Sequence, residues 1–192
     1  MYVIAGLGNP GLSYRKTRHN AGFIAIDHLA DELHIRVTKR GHSGLYGEGV
    51  YNGERIVLLK PQTYMNLSGD CIQKVLHFYK VKPENLIVIY DDISIPAGSV
   101  RIRANGSAGT HNGMRSIISC IHTENFPRIR IGMGDSRGEA DLKDYVLGKP
   151  SKEESVLLEK AYDNVTQAAK MIVCGQLDKA QAEFNRKHEG IN

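Results

Sequence analysis

No stretch of the 192 residues approaches the ~18 consecutive apolar residues of a membrane-spanning helix. The apolar start YVIAGLG is too short, and too soon followed by charge, for a secretion signal. A soluble cytoplasmic protein is the expectation. Cysteine is scarce: Cys71, Cys120 and Cys174 are odd in number, widely separated and without a C-x-x-C pair, which argues against a disulfide framework and a zinc ribbon alike. All three are expected to be reduced core thiols. There are only 6 prolines, and no Pro/Ser-rich linker, internal repeat or low-complexity tract divides the chain, so residues 1–192 are expected to form a single domain. H-E-x-x-H, G-x-S-x-G and Walker A sequences are also missing, which leaves zincin, α/β-hydrolase and P-loop chemistry without support.

What is present is the composition of a folded globular protein, with 41% hydrophobic and 24% charged residues. The net charge of +4 is unevenly spread. Residues 1–130 hold 16 Lys and Arg against 10 Asp and Glu, whereas residues 131–192 hold 9 against 11. The basic excess accompanies the glycines and histidines of the first two thirds, which fits a polyanionic partner near the chemistry and equally fits a lysine-rich solvated surface.

Hydrophobic periodicity predicts an α/β fold, a mixed and mostly parallel twisted sheet flanked by helices with a helical C-terminus. Met1 to Ala5 reads as a short buried strand, and Ala21 to Leu33 as a helix with Phe23, Ile26, Ala30 and Leu33 on one stripe. Tyr46 to Tyr51 and Arg55 to Leu59 flank Asn52-Gly53, a strong hairpin signal. A helix is predicted over Ser68 to Tyr79, and strands over Asn85 to Tyr90, Val100 to Arg103 and Arg128 to Met133. Ser151, with Glu154 three residues on, caps a long helix to about Val173, and a last helix runs from about Leu177 to Lys187.

Five segments between these elements carry chemistry. Gly6-Leu7-Gly8-Asn9-Pro10-Gly11 matches the dinucleotide fingerprint, but the polar LSYRKTRHN that follows has no helical stripe to meet a pyrophosphate. A tight turn that delivers the Asn9 amide to the end of the first strand is the better account. Tyr14 to Asn20 is a basic loop holding His19, a possible general base or an exposed loop residue, and Asn20, which by itself reads as a helix cap. Pro61 to Gly69 joins a strand to a helix and includes Tyr64, Met65 and Asn66. Asp91 and Asp92 end an apolar strand; as a pair they could hold Mg²⁺, and one of them beside a histidine could instead fix that ring's tautomer. Arg101 and Arg103 alternate into the glycine-rich Gly106 to Gly113, which contains His111 and Asn112, and Arg128-Ile129-Arg130 repeats the spacing.

Taken together, GLGNPG, TRHNAG, MNLSG, YDD-x-x-x-P-x-G, GSAG-x-HNG, RIRIG-x-G and LGKP, in that order over nearly the whole chain, resemble the bacterial peptidyl-tRNA hydrolase family. The resemblance implies a monomeric α/β enzyme that cleaves the ester between a peptide and the 3′ ribose of tRNA, freeing the tRNA for translation. No metal, other cofactor or membrane is implied. It makes His19 the general base, Asp91 its orienting partner, and Asn9, Asn66 and Asn112 carboxamide donors to peptide carbonyls, terminal ribose and oxyanion. Asn9 is counted with the catalytic pair. Tyr14, Tyr64, Met65 and His111 are implied in substrate binding, and Arg103 and Arg130 in holding the tRNA 5′ phosphate. Thr110, Asp135 and Asp92 stand where the family usually has Gly, often Pro and commonly Glu. The competing expectation is a catalytically silent tRNA- or RNA-binding protein of the same fold.

Overall fold

The computed structural model describes residues 1–134 and 142–186. Among these residues seven strands form one sheet: β1 (Tyr2–Gly6), β2 (Lys39–Gly41), β3 (Gly44–Tyr51), β4 (Glu54–Pro61), β5 (Leu86–Asp92), β6 (Val100–Arg103) and β7 (Arg128–Gly132). Their order is β2-β3-β4-β1-β5-β7-β6. The central β4, β1, β5 and β7 are mutually parallel, while β3 and β6 run the other way at the flanks. The helices are α1 (Ala21–Glu32), α2 (Ser68–Tyr79), α3 (Asn112–Ile121), α4 (Leu142–Leu147), α5 (Lys152–Val173) and α6 (Leu177–Phe184). None of the described helices is long and apolar enough to cross a membrane.

Strand alternation divides the core into two layers. Ile4, Ile87 and Ile89 face α1 and α5, whereas Val3, Ala5, Val57 and Val88 face α2 and α3. Both faces of the central strands are therefore buried, which explains why YVIA and LIVIY are uninterrupted apolar runs. The chain leaves β1 through α1, returns as β4 on one side of it, and crosses through α2 to β5 on the other. This reversal at β1 opens a crevice at the carboxyl ends of β1 and β5, where ligands of open α/β sheets bind.

Two glycines set how close α1 comes to that crevice. A Cβ on Gly6 would lie 2.0 Å from the Gly22 carbonyl oxygen, and one on Gly22 would lie 2.3 Å from the Leu7 nitrogen. Helix and strand thus touch backbone to backbone, a different use of glycine from pyrophosphate binding. Helix α1 begins only at Ala21, after two single-turn 3₁₀ helices at Leu12–Tyr14 and Arg18–Asn20, so no helix N-terminus opens within the glycine motif.

Most predicted elements are present, with ends shifted by one or two residues; α6 is the exception, closing at Phe184 with Asn185 as its C-cap, short of the predicted Lys187. The Ser151 capping box forms, its hydroxyl accepting from the Glu154 N–H and the Glu154 carboxylate accepting from the Ser151 N–H. Strand β2 and helix α4 escaped the sequence reading because three exposed or half-exposed residues and six residues with one buried side chain carry no usable period. The cysteine expectation needs correction: all three are free thiols, but only Cys71 is core, Cys120 and Cys174 being half-buried. Burial pushes the Cys71 thiol up to about 12. Asp135 and Lys187 lie outside the described residues.

Gly22→Ala should destabilise the fold by at least ~2 kcal/mol, because the new methyl meets rigid backbone rather than a movable side chain. Urea denaturation of the two proteins checks this.

Candidate active site

The site assembles around Asp91, the penultimate residue of β5. Its side chain is 2% exposed and faces two imidazoles. His19 Nδ1 lies 2.9 Å from each carboxylate oxygen, and His111 Nε2 lies 3.1 Å from Oδ1. Burial by itself would raise the Asp91 carboxyl; electrostatic attraction to the His19 and His111 rings and the hydrogen bonds they donate prevail and hold it well below the usual carboxylate range. Asp91 is consequently an acceptor at neutral pH, and both rings must donate to it.

Helix α3 fixes the second ring. His111 is its N-cap and accepts the Met114 N–H at its Nδ1, 3.3 Å away, which leaves the proton on Nε2 for Asp91. For His19 the carboxylate selects the opposite tautomer, with Nδ1–H donating and Nε2 left as the basic nitrogen. His19, Asp91 and His111 each offer an atom within a 4.8 Å group that could in principle hold a metal ion. The donor set fits a metal poorly, since the nitrogens facing Asp91 are those that carry protons.

Asn9 is fixed by a different network. The buried Asn20 side chain accepts the Asn9 N–H at 2.8 Å and donates to the Asn9 carbonyl at 2.9 Å. The Asn9 side-chain oxygen accepts the Met65 N–H at 2.8 Å, so its NH₂ group carries the remaining hydrogens. Asn20 is indeed the residue before α1, yet its side chain caps nothing there. Its bracketing role links residues eleven apart, a pairing with no local sequence signal.

Around these groups lies a cleft of about 870 Å³. Asn9, Tyr14, His19, Tyr64, Met65, Asn66, Asp91, His111, Asn112 and Arg130 all line it. Arg103 does not; it sits exposed on β6, opposite Arg128 and one diagonal step, about 7–8 Å, from Arg130. Leu142, Val146 and Leu147 of α4 form an apolar wall that the sequence reading missed.

The cations divide by partner. Arg128 is 2% exposed and donates to the carbonyls of Gly106, Ser107, Glu124 and Phe126, so it braces the glycine-rich loop. Arg101 donates to the Phe184 carbonyl of α6. Arg18 pairs with Glu154 at 2.8 Å and lies 4.2 Å over the Tyr145 ring, tying the basic loop to the C-terminal helices. Arg130 donates to Asp92 at 2.9 Å, and Asp92 also accepts from Ser94. Adjacent strand residues point to opposite faces, so the Asp91 and Asp92 carboxylates take separate partners and do not form the magnesium pair their adjacency allowed.

Asn20→Ala should leave the Asn9 N–H and carbonyl without their partners and cost about 2–4 kcal/mol of stability. The same variant should lose turnover by lowering kcat more than it raises KM, measured by steady-state kinetics beside thermal melts.

The family model described as peptidyl-tRNA hydrolase matches residues 3–191. Over 186 residues the chain is 53% identical to the peptidyl-tRNA hydrolase of Alkaliphilus metalliredigens, covering 96% of this chain and 100% of that protein. It is 46% identical over 185 residues to the Clostridium acetobutylicum peptidyl-tRNA hydrolase, covering 96% and 98% respectively. The crystal structure of the Acinetobacter baumannii peptidyl-tRNA hydrolase matches with a TM-score of 0.92 at 36% identity, covering 96% of this chain and 94% of that one. Matched in sequence and in fold over nearly its whole length, the chain belongs to the peptidyl-tRNA hydrolase family.

Proposed function

We propose that His19 acts as general base, Asp91 as its orienting partner and Asn9 as a carboxamide donor in the hydrolysis of peptidyl-tRNA. The reaction itself is supported by the family and by close relatives that bear its name: the chain is an ester hydrolase that releases a peptide from tRNA. The observation that carries the residue assignment is the bond from His19 Nδ1 to Asp91, which leaves Nε2 to take a proton from water. An acyl ester is labile enough for a positioned water and base to suffice. Water attacks the carbonyl carbon as Nε2 accepts its proton. The tetrahedral oxyanion collapses, and the departing 3′ ribose oxygen takes that proton back. On this reading no metal takes part.

Asn9 suits oxyanion stabilisation because its oxygen is held by Met65, so the NH₂ group is already oriented when charge develops. Asn66 and Asn112 line the same cleft and are assigned to the ribose and the peptide main chain. Neutral carboxamides bind main chain regardless of side chain, as an enzyme acting on many peptides requires. Tyr14, Tyr64 and Met65 are assigned to the substrate's 3′ end and cleft wall, and His111 to holding Asp91. Arg103 and Arg130 are assigned to a tRNA phosphate, with the enzyme working as a cytoplasmic monomer. The silent RNA-binding alternative gains no support, since His19 and Asp91 are both in place.

The test is release of the acyl group from an N-acetyl-aminoacyl-tRNA with and without EDTA. His19→Ala should lower kcat by about 10²–10⁴ in a protein that still folds, with a lower melting temperature because the buried Asp91 carboxylate loses one of its two donors. Asp91→Asn should lose less, because an amide oxygen in the place of Oδ1 can still accept from His19 and orient it, while the negative charge that stabilises the ring as Nε2 takes its proton is gone. A wild-type rate in His19→Ala refutes the base assignment, and EDTA inhibition refutes the metal-free step.

Replacing Arg103 and Arg130 together with Ala should weaken tRNA binding and reduce the slope of log K against log salt by about 1–2. Filter binding across a salt series reads this directly, and an unchanged slope argues against a phosphate clamp.

A further inference from the structure

We propose that a second groove, which among the described residues shares Asn9 alone with the catalytic cleft, is a subsite for the distal residues of the substrate's peptide. This subsite presupposes the hydrolase reading and extends it. The groove measures about 660 Å³ and lies on the α1 and α5 side of the carboxyl edge.

Sheet order gives its position a direction. From β6 and β7, which carry Arg103 and Arg130, the order runs through β5 with Asp91 and β1, whose end leads to Asn9, to β4 and β3. The second groove takes Lys60 from β4, Gln62 just beyond it and Leu45 from β3. A substrate whose tRNA phosphate sits at β6 and β7, and whose ester sits at Asp91, has its peptide leaving past Asn9 toward this groove. The 3₁₀ turn Leu12–Tyr14 stands between the two spaces: Tyr14 lines the cleft, and Leu12, Arg15 and Lys16 line the groove.

The lining suits an extended chain of unspecified sequence. Leu12, although large and apolar, is 86% exposed, and the half-buried Phe23 and Leu45 line the same groove. Arg15 and Lys16 offer donors that main-chain carbonyls can accept. RNA is the poorer occupant, because Asp27 and Glu159 place carboxylates in the same groove and Lys60 is already paired with Asp27. Reach also fits. From the ester at Asp91 on β5, three strand spacings to β3 come to about 14 Å, and an extended residue covers about 3.3 Å, so peptide residues beyond roughly the fourth reach the β3 side of the groove. An N-acetyl-aminoacyl group ends short of it.

The experiment compares kcat/KM for N-acetyl-aminoacyl-tRNA and for a peptidyl-tRNA of about six residues on the same tRNA with the same ester-linked residue. The enzymes compared are wild type, Leu12→Asp and the double variant Arg15→Ala with Lys16→Ala. The wild type should favour the longer substrate, and Leu12→Asp should lower the long-to-short ratio about threefold to tenfold, carried by KM. Leu12 is exposed, so this variant should fold normally, and a melting curve beside the kinetics verifies it. Equal wild-type use of both substrates, or a ratio unmoved by Leu12→Asp, overturns the subsite while leaving the hydrolase reading intact. If the double variant raises KM equally for both substrates and flattens its salt dependence, the groove holds RNA and the proposal fails. Absence of turnover with either substrate removes the hydrolase reading, and the subsite with it.

Discussion

Taking the Asp91 carboxylate out of water costs several kcal/mol unless donors meet it, and donors must arrive from elsewhere in the chain because β5 has none to spare. They come from two directions. His19 reaches it from the loop before α1, and His111 from the cap of α3, the helices packed on opposite faces of the sheet. The site is thereby tied to the fold: β1 must lie beside β5, and α1 must come close enough to bring His19 over the strand end. The bare contact of Gly6 with Gly22 permits that approach.

The same carboxylate sets the chemistry by setting two tautomers in opposite senses. His111 is fixed from behind by the Met114 N–H and presents Nε2–H; His19 has no such second bond among the described residues and presents Nδ1–H, leaving its other nitrogen basic. Two histidines of identical composition therefore take different roles, one holding the carboxylate and one able to move a proton. Asn9 is oriented with equal economy through Asn20 and Met65, so base and carboxamide are both set before substrate enters.

Charge shows a similar division that composition conceals. Of the arginines that give the first two thirds its basic excess, Arg128 braces the glycine-rich loop, Arg101 secures α6 and Arg18 secures the C-terminal helices. The cationic total thus overstates what a polyanion meets. Arg130, held by Asp92 at the cleft wall, and Arg103, exposed on the neighbouring edge strand, are what remains of the arginines on β6 and β7.

Sequence by itself determined the layered α/β class, because strands covered on both faces are continuous apolar runs and the helices beside them carry clear stripes. It also determined most elements to within a residue or two and, through seven ordered motifs, the family. Each motif alone read as readily as a turn, a cap or a strand end. Only the tertiary structure decided that Asn20 brackets Asn9 instead of capping α1, that Asp91 and Asp92 take different partners, and which arginines are structural. The reason is common to all three: local spacing reports which residues share a face, whereas the contacts that settle these assignments, Asn9 with Asn20, Asp91 with His19 and Arg18 with Glu154 among them, join residues eleven to more than a hundred apart.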